Sequence, residues 1–328
     1  MPSTCDASAT EHAVAEALLA AGSVVVCAHV NPDGDAVGAV LALTLALREA
    51  GVNAVPTLAD AHEAPATYSF LEGFDLYRPC VELEAPQVFV ALDTPTWARL
   101  GAAEALARSA GTVVVIDHHG DDACYGSLNF VDADAASTAS IVWRLLPALG
   151  VSPTPGIAAA CYVALMTDTG RFSYSNATPR ALRDAADMIE AGVDARRLFT
   201  KVYESRTAPA LALLGRVLSR VTLANHGRVV YSWIAANDLT ETGALAEETE
   251  NLVDVVRQTG RVDAVVIFKE EVDGTKISLR AKCPTLDIGA IARSFGGGGH
   301  FAAAGATLDL PLDDAIATVL AALPGGAA

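Results

Sequence analysis

The chain has 328 residues, 52% of them hydrophobic and 19% charged, with a formal net charge of −17. That length suits two domains or one large one, and the composition supplies ample core, which excludes disordered and fibrous classes. The charge excludes a long basic track for nucleic acid, where phosphate contacts dominate binding, but leaves room for a small phosphate ester in a cleft whose field metal ions or arginines reverse.

No apolar run reaches the roughly 20 residues that a bilayer span needs, so no membrane role is expected. The N-terminal Met-Pro-Ser-Thr-Cys-Asp lacks the basic start of a secretory signal. The six cysteines show no CxxC spacing, which points to free thiols in a reducing cytoplasm.

In chain order, residues 23–28 read as a strand and 35–50 as a helix closed by Gly51. Strands at 53–58, 87–92 and 112–116 follow, with a helical stretch at 97–109 between the last two. The β-branched runs Val24 to Val26 and Val113 to Ile116 have the continuous apolarity of strands buried in a parallel sheet. Helices are expected over 136–149, 155–166 and 179–191. From 192 to 208 the chain is more polar and begins a connection. Beyond it lie strands at 228–234, 262–268 and 276–280, and helices near 248–257 and 312–322. The pattern is a doubly wound, mostly parallel α/β sheet followed by a smaller α/β unit.

Five segments carry chemistry. His29, Asp33 and Asp35 surround Pro32 and Gly34 at the end of the first strand. Four- and two-residue spacing in a tight turn lets oxygen and nitrogen ligands converge, a set suited to Mn²⁺ or Mg²⁺. The competing reading is an Asp-rich turn with Asp35 as helix N-cap. Asp93 ends a buried strand, where an acid is costly unless paired or metal-bound; it also reads as a cap before Thr94-Pro95. In Asp117-His118-His119 the two histidines should point to opposite faces, one toward metal and one toward substrate, with Asp117 orienting an imidazole. Asp168 follows the apolar stretch 158–166, as a ligand or as an ordinary turn residue. Last, the glycines Gly297, Gly298 and Gly299 before His300 offer amides to an anion, helped by a following helix N-terminus, or else form a flexible loop. Arg280 could fork onto a phosphate or simply lie on the surface.

Taken together, HxxPDGDAxG, the strand-end Asp93, DHH, TDTGRF and GGGHxxAAG, in this order from His29 to Gly305, resemble the DHH phosphoesterases. The match is to the DHH–DHHA1 branch of nanoRNases, or oligoribonucleases, that also act as 3′-phosphoadenosine-5′-phosphate phosphatases. The resemblance implies a catalytic DHH domain over 1–190, a linker over 191–213 and a substrate-binding DHHA1 domain over 214–328, with the active site in the cleft between them.

It implies two Mn²⁺ ions, replaceable by Mg²⁺ or Co²⁺, held by His29, Asp33, Asp35, Asp93, His118 and Asp168, with Asp93 bridging. His119 would contact the scissile phosphate, and His119, Asp93 and Asp117 would form the catalytic group. Arg280, Gly298, Gly299 and His300 would hold the nucleotide. Substrates would be short RNA or DNA oligonucleotides, linear dinucleotides or mononucleotide bisphosphates, not long duplexes, and a homodimer is compatible with the resemblance. Ala39 and Ala281 stand where relatives often carry Ser. The alternatives are a RecJ-like single-strand DNA exonuclease, a family-two inorganic pyrophosphatase and a non-catalytic nucleotide sensor.

Overall fold

The computed structural model describes residues 9–59, 64–119, 124–249, 252–299 and 301–326. The chain forms two compact units, Met1–Ser205 and Arg206–Ala328.

The first unit runs α1 (Glu11–Leu19), β1 (Val24–Cys27), α2 (Gly34–Glu49), β2 (Ala54–Pro56), β3 (Val88–Leu92), α3 (Glu104–Ser109), β4 (Thr112–Asp117) and β5 (Leu128–Val131), then α4 (Thr138–Leu145), α5 (Pro155–Asp168), α6 (Pro179–Glu190) and α7 (Ala195–Tyr203). The strands pair in the order β2-β1-β3-β4-β5, all parallel. All residues of β1 and β3 are buried, as their unbroken apolar runs require in a sheet covered on both sides. The strand order reverses between β1 and β3. Open α/β sheets bind ligands at such a switch point, outside the carboxyl ends of the strands.

Helix α2 is apolar nearly all round and buried along almost its whole length, packed against α4 and α5. Its close approach to α5 needs Gly34 and Gly38. A Cβ at Gly34 would overlap the Thr167 side chain, and one at Gly38 would overlap the Ala160 carbonyl. Ala39 is fully buried in the same core. Helices α5 and α6 start at Thr-Pro pairs, in which the hydroxyls of Thr154 and Thr178 accept first-turn N–H groups and proline fills a position with no donor to lose.

Residues 97–109 are not one helix. A 3₁₀ turn over 97–103 breaks at Gly101 (φ 47°, ψ −124°) before α3 begins. The kink docks this segment onto the loops after β1 and β2: Val30 N–H donates to Arg99 O at 2.8 Å, and Ala102 N–H to Ala59 O at 2.8 Å. β5, whose residues are all half-buried, lacks the apolar run that marks the inner strands.

The second unit contains α8 (Ala208–Ser219), β6 (Thr222–Ala224), β7 (Val229–Ile234), α9 (Asp238–Thr242), α10 (Leu252–Val256), β8 (Ala264–Glu271), β9 (Gly274–Ala281), α11 (Ile288–Ser294), β10 (Gly298–Gly299), β11 (Ala303–Leu308) and α12 (Leu312–Ala322). Its sheet runs β10-β11-β9-β8-β7-β6, antiparallel except for β7 with β8. The expected helix over 248–257 resolves into a 3₁₀ turn at Ala246–Thr249 and the short α10.

Among the described residues no helix is long and apolar enough to cross a membrane. Cys27, Cys80, Cys161 and Cys283 are free, but Cys124 is disulfide-bonded. This corrects the expectation of free thiols throughout: spacing along the chain does not report which cysteines meet in space.

Candidate active site

The first turn places its two acids differently from the capping reading. Asp33, not Asp35, is the N-cap of α2: its Oδ1 accepts the N–H groups of Asp35 and Ala36, both at 3.0 Å. Asp35 lies one step inside the helix and turns into the core, 1% exposed. Its Oδ2 accepts Thr138 N–H at 2.7 Å and its Oδ1 accepts Ala139 N–H at 3.1 Å. These are first-turn amides of α4, unpaired within their own helix and well suited to a carboxylate.

Asp93 leaves β3 in the left-handed region, at φ 53°. A non-glycine residue held there signals a position fixed by its surroundings. No helix starts at it, so the capping alternative falls away. Its two oxygens serve two sides: Oδ2 lies 3.3 Å from His29 Nε2, and Oδ1 lies 3.4 Å from both His118 Nε2 and His119 Nδ1. His118 Nε2 is also 3.9 Å from Asp35 Oδ2 and 3.9 Å from Asp168 Oδ2.

The paired histidines do not point to opposite faces. Their rings sit 4.5 Å apart, and both reach Asp93. The expectation assumed an extended segment, but β4 ends at Asp117. The Asp117 carboxylate then folds His119 back, its Oδ1 accepting His119 N–H at 2.8 Å and lying 2.6 Å from His119 Nδ1. Asp117 thus orients an imidazole as expected, and the ring it holds is that of His119.

His29, Asp33 and Asp93 form one group able to hold a metal ion; Asp35, His118 and Asp168 form a second; Asp93, His118 and His119 form a third. Asp93 joins the first to the third, and His118 joins the third to the second. Every donor is oxygen or nitrogen, the chemistry of Mg²⁺ and Mn²⁺ rather than of thiophilic metals.

The electrostatics agree. Burial, together with the negative charges of Asp93 and Asp168, pushes the Asp35 carboxyl well above its ordinary range. Burial pushes Asp168 up to about 7, with Asp93 adding to the shift. Burial opposes charge on Asp93, but His118 and His29 outweigh it and hold that carboxyl well below its ordinary range. Burial likewise opposes charge on His118, but the Asp93 hydrogen bond and the nearby carboxylates push it up to about 11. Four acids and three imidazoles packed this closely require either protons or cations to balance them. The residues present therefore fit a divalent metal centre.

Thr138 and Asn176 were missed by the pattern of charged residues. Thr138 Oγ1 donates to Asp93 Oδ1 at 3.1 Å. Asn176 Nδ2 ties Asp168 to the segment before α4, donating to Ala136 O at 3.1 Å, to Asp168 O at 3.2 Å and to Asp168 Oδ2 at 3.4 Å. The Ser137-Thr138 pair signalled only a helix start, and nothing in the sequence marked Asn176.

In the second unit, Arg280 on β9 pairs through Nε with Asp254 Oδ1 at 3.2 Å and is mostly buried. The glycine tract is neither a flexible loop nor the lead into a helix. Helix α11 precedes it, and Gly298-Gly299 forms β10, paired with β11. Close strand pairing is what demands glycine at 297 and 299, where a Cβ would overlap Gly305 O or the Ala304 backbone. Register also sets Arg280 opposite Ala303, one residue from the partner of Gly299. Ala281 packs in the core of this unit. His300 lies outside the described residues.

A doubly wound parallel sheet with this donor set at its switch point, followed by a mixed-sheet domain, defines a two-domain α/β class with a metal-type centre. Residues 23–165 match the DHH family N-terminal domain and residues 226–324 match the DHHA1 domain. The chain is 37% identical over 314 residues to the bifunctional oligoribonuclease and PAP phosphatase NrnA of Thermus thermophilus, covering 94% of this chain and 92% of that protein. The chain therefore belongs to the DHH family of phosphoesterases. The crystal structure of an exopolyphosphatase-related protein from Bacteroides fragilis shares its fold, with a TM-score of 0.86 at 23% identity over 93% of this chain and 92% of that one. The exonuclease RecJ bound to manganese does so more distantly, with a TM-score of 0.56 at 16% identity over 94% and 92%.

Proposed function

We propose that this protein is a Mn²⁺-dependent phosphoesterase that hydrolyses short oligonucleotides, including linear dinucleotides, to nucleoside 5′-monophosphates, and 3′-phosphoadenosine-5′-phosphate to AMP. The observation that carries the reading is the position of Asp93, whose two oxygens face His29 on one side and His118 with His119 on the other. His29, Asp33 and Asp93 would hold one cation, and Asp35, His118 and Asp168, with Asp93 shared, would hold a second. Bound there, divalent cations supply Lewis-acid stabilisation of the charge that develops on phosphoryl oxygens and lower the pKa of a water.

The chain's own groups do the rest. Asp35 is locked by two amides of α4, so its carboxylate keeps one orientation. Asp117 engages His119 at Nδ1, so that ring works through Nε2, which contacts the scissile phosphate and delivers a proton to the leaving oxygen. Arg280, Gly298, Gly299 and His300 hold the nucleotide's own phosphate. The homologue's oligoribonuclease and PAP phosphatase activities support this substrate range, and the net charge of −17 supports short substrates over long strands. The domain assignment 1–190, 191–213 and 214–328 belongs to the same proposal.

The test is one Mn²⁺-supplemented assay across the bisphosphate, dinucleotides, a five-nucleotide RNA and a long single strand. Turnover confined to the short substrates is expected. Equal cleavage of the long strand would replace this reading with a RecJ-like exonuclease, and no metal-dependent turnover at all would leave only a nucleotide sensor.

A further inference from the structure

We infer that Thr138 is a positioning residue, whose hydroxyl fixes the plane of the Asp93 carboxylate and so aims one oxygen at each half of the metal centre. The inference rests on the two-cation reading above.

Thr138 is fully buried. A hydroxyl in a dry interior is costly unless it is hydrogen-bonded, and it has one proton to give. Thr138 gives that proton to Asp93 Oδ1. The helix does not need it. Ser137 already caps α4, its hydroxyl accepting Ser140 N–H at 3.1 Å, and Asp35 takes the amides of Thr138 and Ala139. The polar atom of the Thr138 side chain therefore serves Asp93, the acid that both sides share.

The geometry gives that contact a consequence. The terminal torsion of an aspartate is soft and broadly two-fold, so a carboxylate plane twists unless one oxygen is held. Thr138 holds Oδ1, the oxygen 3.4 Å from His118 and from His119, which leaves Oδ2 directed at His29, 3.3 Å away. With the hydroxyl removed, the plane is free to turn and one side loses its oxygen. Loss of a group that orients a ligand in this way typically costs about 10–100-fold in metal affinity.

The test titrates Mn²⁺ by calorimetry into metal-stripped full-length wild type, Thr138→Val and Thr138→Ser. Valine keeps the shape and removes the hydroxyl, and serine keeps the hydroxyl. Wild type should bind two ions, the valine variant should bind at least one of them about tenfold or more weakly, and serine should stay within about threefold of wild type. The valine variant should also lose kcat with KM for the nucleotide little changed, while its metal-free melting temperature stays near that of wild type. If valine does not refold after stripping, Thr138→Ala set against Thr138→Ser gives the same comparison. A valine isotherm that superimposes on wild type overturns the inference, as does a serine variant as impaired as valine. Wild type that binds no divalent cation overturns the proposed function as well, which separates the two failures.

Discussion

The acidic edge of the parallel sheet and the glycine edge of the mixed sheet are built on opposite plans. At the first, seven side chains from four segments converge, and each has at least one polar atom held by a named partner. At the second, the backbone does the work: glycines let β10 lie against β11, and Arg280 nearby is already paired with Asp254. The first edge has the rigidity that chemistry on a phosphate demands. The second has amides and open space, which suit recognition of an anion.

The sharpest way to break this contrast is to remove the shared acid. Asp93→Asn should lower kcat/KM on the bisphosphate and on a dinucleotide at least about 1,000-fold, or roughly 4 kcal/mol. A variant within tenfold of wild type would show that the convergence at Asp93 is not the seat of the chemistry.

Rigidity comes next. Gly38→Val forces side-chain atoms into the α5 backbone and should cost roughly 1–3 kcal/mol of stability, read as a lower urea midpoint. An unchanged midpoint would mean that α2 and α5 can separate, and the first edge would not be the stiff one.

Arg280→Ala should raise KM about tenfold with a smaller change in kcat, the mark of a binding contact. A pure kcat effect would move Arg280 from recognition to chemistry.

The acidity of the first edge predicts a pH effect. The ligand form of Asp168 is the carboxylate, and burial raises its pKa to about 7. Below that pH a proton competes with the cation for this carboxylate; above it that one competition is gone, while the His118 imidazolium, held up to about 11, still competes. Mn²⁺ affinity should therefore rise with pH throughout and more steeply below 7 than above it, the Asp168 proton adding up to about tenfold per unit below. Calorimetry at pH 6, 7 and 8 measures this, and a flat profile would remove Asp168 from the ligand set.

The smallest effect is expected at Gly298, where an added Cβ meets nothing. Gly298→Ala should move stability by less than about 0.5 kcal/mol. A raised KM in such an undisturbed fold would point to ligand contact at that strand.

Much of this was legible in the sequence because strand-end acids and imidazoles stand out against apolar runs. Val24 to Val26 and Val113 to Ile116 announced buried parallel strands, and His29, Asp93 and Asp117 then had to fall at one edge. The errors share a cause as well. The opposite-face reading of His118 and His119 assumed that β4 continued, and one carboxylate hydrogen bond bent the chain back. The glycine tract read as an anion-binding lead into a helix, or else a flexible loop, because glycine has no pattern of its own; pairing with β11 makes it a strand. Thr138 and Asn176 are common residues whose importance depends on what lies across the fold, in Thr138's case an acid 45 positions away.

The sequence by itself determined the donor types, their order and the sheet that presents them, since all three follow from local chemistry and periodicity. Only the tertiary structure decided which oxygen meets which imidazole, that Asp33 caps while Asp35 turns inward, and that α4 supplies the amides that hold it. Those choices are settled by unpaired helix amides and buried charges finding each other at short range, and distance along the chain carries no information about that.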